Sequence, residues 1–210
     1  IMGSGLGYRI SSILTSVAGT SMLLLLVLTM VVSLIMGMGV PTTAAYLVLA
    51  SLVAPTMIQL GIPPLAAHMF IFYFGCISSI TPPVALAAYA GAGLAGCDPN
   101  KTGYKAFRLA FCSFLMPYLF VYNPVLLMEG GVLDILWSLV TALIGAYLLA
   151  SGFEGFFFRW SLKWFERPLM ILGAVMLIVP GMVTDLVGIA IIVVEFVTEF
   201  MFKRSEKFVP

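Results

Sequence analysis

The chain has 210 residues, of which 62% are hydrophobic and only 9% are charged. A typical soluble domain carries about 25% charged residues, so this composition excludes a water-soluble globular protein. Between Arg9 and Asp98 the sequence contains no Lys, Arg, Asp or Glu, and such a stretch could not cover a soluble surface. An all-α polytopic membrane protein is therefore predicted, because each helical span needs about 20 mostly apolar residues. The formal net charge of +1 indicates no nucleic-acid partner.

The sequence begins at Ile1 in a Gly-rich stretch, with no charged start or signal-peptide cleavage pattern ahead of the first apolar run. We interpret it as the C-terminal part of a longer protein. The hydrophobic pattern then predicts six apolar segments, at about 12–36, 43–60, 66–95, 106–127, 133–152 and 168–202.

The first two segments are joined by the stretch Gly37 to Thr43, which has no charge that would mark an aqueous loop. This pattern predicts a re-entrant hairpin over about 12–60, with its tip deep in the membrane. Pro41 has no N–H to offer the Gly37 carbonyl, and the glycines allow the backbone to turn and to approach another chain closely.

The third segment, about 66–95, carries the run Ser78-Ser79-Ile80-Thr81-Pro82-Pro83 near its middle. The two prolines have no N–H, so the carbonyls of Ser78 and Ser79 should lack helical partners, and the helix should break at Thr81. In lipid, such backbone persists only where it is buried in protein or lines a polar cavity.

Carbonyls freed in this way, together with nearby hydroxyls, are hard oxygen ligands that suit Na⁺ better than any soft metal. Backbone or hydroxyl oxygens of Gly37, Ser78, Ser79 and Thr81 are the expected Na⁺ ligands. A half-helix starting after Pro83 would direct its positive dipole at an anionic substrate group. The alternative is an inert proline kink that neighbouring helices accommodate. The full candidate sodium and substrate site is Gly37, Gly39, Pro41, Thr42, Thr43, Ser78, Ser79, Thr81, Pro82 and Pro83.

Charges in the second half alternate in sign between segments, and basic loops should be cytoplasmic. One helix at about 106–127 and another at 133–152 are predicted to cross as a pair around an outer acidic turn containing Glu129. Aromatic residues share one face of the stretch 153–167, which predicts an interfacial helix on the cytoplasmic surface of the bilayer. The C-terminus is expected in the cytoplasm.

The last segment, 168–202, is too long for one ordinary span and contains Pro180 and Gly181. It predicts a hairpin whose outer turn includes Asp185, with Asp185 as a helix N-cap. A single tilted helix is the alternative.

Two stretches carry a family resemblance: Gly37-Met38-Gly39-Val40-Pro41-Thr42-Thr43-Ala44-Ala45-Tyr46 and Gly75-Cys76-Ile77-Ser78-Ser79-Ile80-Thr81-Pro82-Pro83-Val84-Ala85-Leu86. They resemble the second-repeat hairpin and broken helix of the large membrane subunit of TRAP transporters (tripartite ATP-independent periplasmic transporters). The fused permease type, in which small and large subunits form one polypeptide, is the most similar. The similarity continues to Tyr122.

The resemblance implies a membrane permease of a secondary transporter with inverted repeats and alternating access, in the bacterial inner membrane. Na⁺ as coupling ion would drive uptake of organic acids (carboxylates), which a periplasmic solute-binding protein delivers. Residues 1–125 would form the second-repeat transport region, and 126–210 an additional C-terminal membrane region. The first repeat and a fused small subunit would lie upstream of Ile1.

Neither an enzyme nor a resident cofactor is expected, because the sequence has no catalytic triad arrangement and no Cys/His metal spacing. His68, at the outer start of the broken helix, is interpreted as a hydrogen-bonded packing residue, with substrate binding or proton sensing as the alternative. A non-transporting membrane scaffold that assembles partners through small-residue helices is the alternative function.

Overall fold

The computed structural model describes residues 6–19, 21–157, 160–179 and 181–202. The chain forms two compact units, Ile1–Val121 and Tyr122–Pro210, whereas the boundary predicted from the sequence lies near residue 125. The described residues are helical apart from connecting turns and one two-stranded hairpin. Among them, Val132–Glu154 is the one helix that is long and apolar enough to cross a membrane unaided, and several shorter helices are also apolar.

In the N-terminal unit, helices α2 and α3 form a hairpin that packs against α5. Two short 3₁₀ helices, Ser78–Ile80 and Phe111–Leu115, follow α5 and α7. The helices are α1 (Leu6–Ala18), α2 (Met22–Gly37), α3 (Thr42–Leu52), α4 (Ala54–Gln59), α5 (Pro64–Ile77), α6 (Leu86–Ala95), α7 (Pro99–Ala110) and α8 (Met116–Tyr122).

Each arm of the predicted hairpin is two helices and not one. The first arm breaks between α1 and α2, where Gly19 adopts a left-handed φ of 54° and the Ser21 hydroxyl caps α2 by accepting from the Leu24 N–H. The second arm breaks at Val53 between α3 and α4. Pro55 explains this second break, because it has no N–H for the carbonyl four residues earlier.

The prediction of a single helix at about 106–127 is also wrong. Helix α7 ends at Ala110, the 3₁₀ helix Phe111–Leu115 follows, and α8 begins at Met116. Pro117 has no N–H with which to continue an α-helix from the preceding turn. Pro124 then begins a further 3₁₀ helix, Pro124–Leu127.

Aromatic side chains of α5 and α8 form the centre of the N-terminal unit. Phe70 and Phe74 are fully buried, and their ring centroids lie 5.3 Å and 6.1 Å from that of Tyr118 in edge-on geometry. The Tyr118 hydroxyl donates to Met30 Sδ at 3.2 Å. Tyr118 of α8 thus contacts both α5 and α2, and these contacts help to position the break that follows α5.

In the C-terminal unit, α10 packs against both α9 and α11. Glycines permit this close approach: a Cβ on Gly145 would lie 2.5 Å from Ile178 Cγ1, and one on Gly188 would lie 2.7 Å from Leu177 Cγ. The elements are α9 (Val132–Glu154), β1 (Phe156–Phe157), β2 (Trp160–Ser161), α10 (Glu166–Ile178) and α11 (Met182–Phe202).

The prediction of an interfacial helix at 153–167 is wrong. Helix α9 ends at Glu154, and strands β1 and β2 pair antiparallel, with Phe156 opposite Ser161. Gly155 causes the termination, because it adopts a left-handed φ of 74° and its N–H donates to the Ser151 carbonyl at 2.8 Å, which is a common helix C-cap.

The two-helix hairpin predicted at 168–202 is confirmed, and the single tilted helix is excluded, because α10 ends at Ile178 and α11 begins at Met182. The turn does not include Asp185, so that part of the prediction is wrong. Asp185 is not the N-cap: it lies inside the first turn of α11, and its N–H donates to the Gly181 carbonyl. Pro180 lies outside the described residues, as does the C-terminal end at 203–210.

Candidate functional site

The tip between α2 and α3 packs directly on the break after α5. Gly37 ends α2 and is buried against Ser78, so a Cβ on Gly37 would lie 2.5 Å from Ser78 Oγ and 2.9 Å from Ser78 Cβ. A Cβ on Gly39 would lie 3.7 Å from Val84 Cγ1. Only glycine allows the helix end to approach the break this closely. The tip and the break are therefore one structural feature.

Three hydroxyls line the break, and each donates to a carbonyl of the preceding helix. Ser78 Oγ donates to the Gly75 carbonyl at 2.6 Å, Ser79 Oγ to Cys76 at 2.7 Å and Thr81 Oγ1 to Ile77 at 2.9 Å. Ser78 is 1% exposed and Thr81 is 6% exposed. A hydroxyl that donates its proton keeps its oxygen lone pairs free to accept, so these oxygens can serve as cation ligands.

The break occurs where the prolines require it, but two carbonyls expected to be free have partners. Thr81 is extended, with φ −93° and ψ 123°. Its N–H donates to the Ser78 carbonyl at 3.3 Å, and the Val40 N–H donates to the Gly37 carbonyl at 3.4 Å. Both bonds are longer than the usual 2.9–3.0 Å. Pro82 and Pro83 occupy the two positions from which a helical N–H would reach the Ser79 carbonyl.

The remaining predicted residues lie around this contact. Pro41 is exposed at the N-cap of α3, Thr42 is half-buried as its first residue, and Thr43 is exposed. Pro82 is half-buried, whereas Pro83 is exposed and its carbonyl accepts from the Tyr89 hydroxyl at 2.9 Å. The structure thus brings Gly37 and Gly39 against the break, and leaves Pro41 and Thr43 at the outer side of the tip.

Helix α6 begins just beyond the break, at Leu86. The residue before it, Ala85, is fully buried with a left-handed φ of 37°, a conformation that costs about 1–2 kcal/mol for a non-glycine residue. Its N–H donates to the Thr81 carbonyl at 3.1 Å. The N-terminus of α6, with its partial positive charge, therefore lies beside the break.

Two buried hydroxyls on α2 were not predicted from the sequence to belong to the site. Thr29 and Ser33 are 0% exposed, and neither hydroxyl oxygen has a hydrogen-bond partner within the described part of the chain. They lie eight and four residues before Gly37, so all three share one helix face. The available signal was their polarity, because they are the two polar residues of the otherwise apolar helix Met22–Gly37.

His68 forms a hydrogen bond with the Tyr46 hydroxyl, at 3.1 Å from Nδ1. The two rings also meet edge-on, with centroids 6.1 Å apart. His68 therefore joins α5 to α3, in agreement with its interpretation as a hydrogen-bonded packing residue.

A family model described as the tripartite ATP-independent periplasmic transporter, DctM component, matches residues 1–135. The match covers more than half of the chain and includes both the tip and the break. The chain belongs to the DctM component family. No curated protein and no solved structure matches it.

Membership of the DctM family confirms the resemblance to the TRAP large membrane subunit. DctM components are membrane permeases of the bacterial inner membrane that work with a periplasmic binding protein and a small membrane subunit, and the family comprises transporters, not enzymes. The contact between Gly37 and Ser78 lies inside the matched region, whereas most of α9 and all of α10 and α11 lie beyond it.

Proposed function

We propose that this DctM-family chain contributes one half of a Na⁺ and carboxylate site in a symporter that works by alternating access. The observation that carries the proposal is the contact between Gly37 and Ser78, which joins a helix end to a helix break within an apolar unit. The second half of the site would come from the first repeat, expected upstream of Ile1.

The chemistry of the break favours Na⁺ over a soft or transition metal. Ser78, Ser79 and Thr81 offer hydroxyl oxygens whose protons are already donated, and such neutral oxygens are ligands for hard cations. The stretch between Arg9 and Asp98 has no charged side chain. A bound cation would therefore be held by oxygen dipoles, as in the unwound helices of other secondary transporters.

The break also offers an anion a favourable position. The N-termini of α3 and α6 carry unpaired backbone N–H groups and a partial positive charge. A carboxylate near these helix ends would be attracted to them and to the adjacent Na⁺, so ion and substrate would stabilise each other. This coupling is the physical basis that we propose for symport of organic acids.

We also propose which proteins the chain works with and how it is oriented in the membrane. The periplasmic binding protein would deliver the organic acid, and the small membrane subunit would be fused upstream in the same polypeptide. The basic stretch 97–108, whose lysines and arginine lie on α7, and the C-terminus would face the cytoplasm, because positively charged connections remain on that side.

The decisive experiment reconstitutes the full-length permease with its binding protein in liposomes. Uptake of an organic acid should require an inward Na⁺ gradient and should cease when K⁺ replaces Na⁺. Uptake that continues unchanged without the gradient would overturn the coupling.

A second candidate is a non-transporting membrane scaffold. It is favoured by one observation, namely that the hydroxyls of Ser78, Ser79 and Thr81 already have hydrogen-bond partners within the helix, as an inert kink would require. A ligand that binds only the folded state raises its stability. Thermal protection of the purified permease by Na⁺ but not by K⁺ would therefore exclude the scaffold.

A further inference from the structure

The C-terminal unit contains a partly open cavity that lies outside the proposed Na⁺ and carboxylate site. Its volume is about 540 Å³, and it lies among α9, α10, α11 and the residue Asn123, which precedes the 3₁₀ helix Pro124–Leu127. The cavity has an apolar wall that includes Leu177 and Ile189. Its polar side chains are Asn123, Trp137, Ser138, Thr141 and Asp185.

Two buried acceptors distinguish this cavity from a packing defect. Asp185 is 7% exposed, and its carboxylate accepts from the Trp137 indole N–H at 2.8 Å. Asn123 is 4% exposed, and its side-chain oxygen has no hydrogen-bond partner within the described part of the chain. A buried acceptor left unpaired costs about 1–3 kcal/mol, so a ligand that donates to it would be stabilised.

The hydroxyl of Thr141 adds a third acceptor. It shares its proton between the carbonyls of Trp137 and Ser138, each at 3.2 Å, which leaves its lone pairs available. Among the described residues that line the cavity there is no lysine or arginine. The site therefore combines a negative charge with neutral acceptors, and it would repel a carboxylate substrate.

The size and the walls of the cavity select the kind of cation. A water molecule takes up about 30 Å³, so a bare alkali ion would leave most of the space empty, whereas small organic ligands occupy sites of about 300–1,000 Å³. A primary ammonium has three N–H donors, which matches the acceptors on Asp185, Asn123 and Thr141. The apolar wall would receive the carbon body of such a ligand.

We propose that this cavity binds a primary ammonium group carried on an apolar body. The group could belong to an aminophospholipid, whose phosphate would stay outside the cavity among the lipid head groups, or to a soluble amine. Trp137 lies near the start of the membrane-length helix α9, and Asp185 lies in the first turn of α11. Tryptophans at the ends of membrane helices sit at the level of the lipid head groups, where an ethanolamine head would be available.

The test compares ligands that differ only at nitrogen, using the full-length permease. In the lipid arm, native mass spectrometry measures retention of phosphatidylethanolamine against phosphatidylcholine, whose trimethylated head has no N–H. In the soluble arm, thermal shift compares n-hexylammonium with n-hexyltrimethylammonium. We expect a preference of about tenfold for the primary ammonium in at least one arm, as the loss of charged hydrogen bonds predicts. The arm that responds identifies the source.

Three variants test whether the ligand binds in the cavity. Asp185→Asn should abolish the preference, whereas Asp134→Asn, at an exposed carboxylate in the first turn of α9, should preserve it. Ser138→Leu narrows the cavity while leaving both Asp185 and Trp137 in place, so it should weaken binding of the primary ammonium even if Asp185→Asn does not fold. Equal binding of primary and trimethylated ligands, or primary-ammonium binding that Ser138→Leu leaves unchanged, would overturn the proposal.

Discussion

Gly37 and Ser78 are 41 positions apart in the chain, yet a methyl group on Gly37 would lie 2.5 Å from the Ser78 hydroxyl oxygen and 3.4 Å from the Gly75 backbone. This contact joins the hairpin tip to the helix break, and the break cannot move away from the tip without losing it. We expect Na⁺ binding at the break to depend on this close contact.

Gly37→Ala should therefore separate the tip from the break. Overpacking of a buried contact costs about 1–3 kcal/mol, so the apparent melting temperature of the purified permease should fall and Na⁺-driven uptake should be lost. Gly91→Ala is the matched control, since no atom lies within 4 Å of a Cβ at this exposed position in α6. The control should be neutral or slightly stabilising. Equal melting temperatures and equal uptake in the two variants would show that neither stability nor transport depends on the close contact.

Removing the hydroxyls at the break should weaken Na⁺ binding. Ser78→Ala and Thr81→Val each remove one oxygen ligand, and we expect the Na⁺ concentration for half-maximal uptake to rise about tenfold, equivalent to about 1.4 kcal/mol. Ser51→Ala is the control, because Ser51 donates to the Val48 carbonyl at 2.8 Å in the same local geometry but on an exposed surface. A Na⁺ requirement that is unchanged in both break variants would remove these hydroxyls from the ion site.

Replacing Pro82 and Pro83 with Ala should allow the helix to continue through the break. The restored N–H groups would pair with the carbonyls of Ser78 and Ser79, so Na⁺ affinity should fall even though no hydroxyl is removed. Pro64→Ala is the control, since Pro64 occupies the first position of α5, where an N–H would have no helical partner. Isotope-labelled Na⁺ binding to the purified permease measures the effect, and undiminished affinity would contradict the prediction.

Substitution of Thr29 and Ser33 should change the stability of the permease and its rate of transport in opposite directions. Both hydroxyls are buried without a partner in the described residues, so Thr29→Val combined with Ser33→Ala should raise the melting temperature by relieving a cost of about 1–3 kcal/mol per group. If these oxygens serve ions that approach Gly37, the same variant should transport more slowly. Greater stability with unchanged uptake would assign them to packing alone.

The orientation of the permease can be tested with Cys97. It is exposed in the loop between α6 and α7, whereas Cys76 and Cys112 are half-buried. With all other cysteines replaced, a membrane-impermeant maleimide should label Cys97 in inside-out vesicles and not in intact cells. Glu129→Cys, introduced into the outer acidic turn of a cysteine-free permease, should show the opposite pattern. Labelling of Cys97 from outside the cell would invert the proposed topology.

Two local features were predictable from the sequence alone, one from the covalent structure of proline and the other from the length of an apolar segment. Proline lacks an N–H wherever the chain places it, so Pro82 and Pro83 require a break whatever surrounds them, and the structure has one after Ile80. The hairpin of α10 and α11 was likewise predictable from the length of its apolar segment. The expected helix at 153–167 failed because Gly155 terminates α9, and helical periodicity alone does not reveal a left-handed residue.

The sequence by itself determined that the chain has no charge between Arg9 and Asp98, so that any cation held there must be held by neutral oxygens. Only the tertiary structure decided which oxygens are brought together. The contact of Gly37 with Ser78 and the hydrogen bond from Trp137 to Asp185 each join residues of separate helices. The buried Ser33 hydroxyl has no partner among the described residues, and this too is visible only in the folded chain. Such relationships depend on how the helices pack, and packing is a property of the whole fold, which no local pattern of residues encodes.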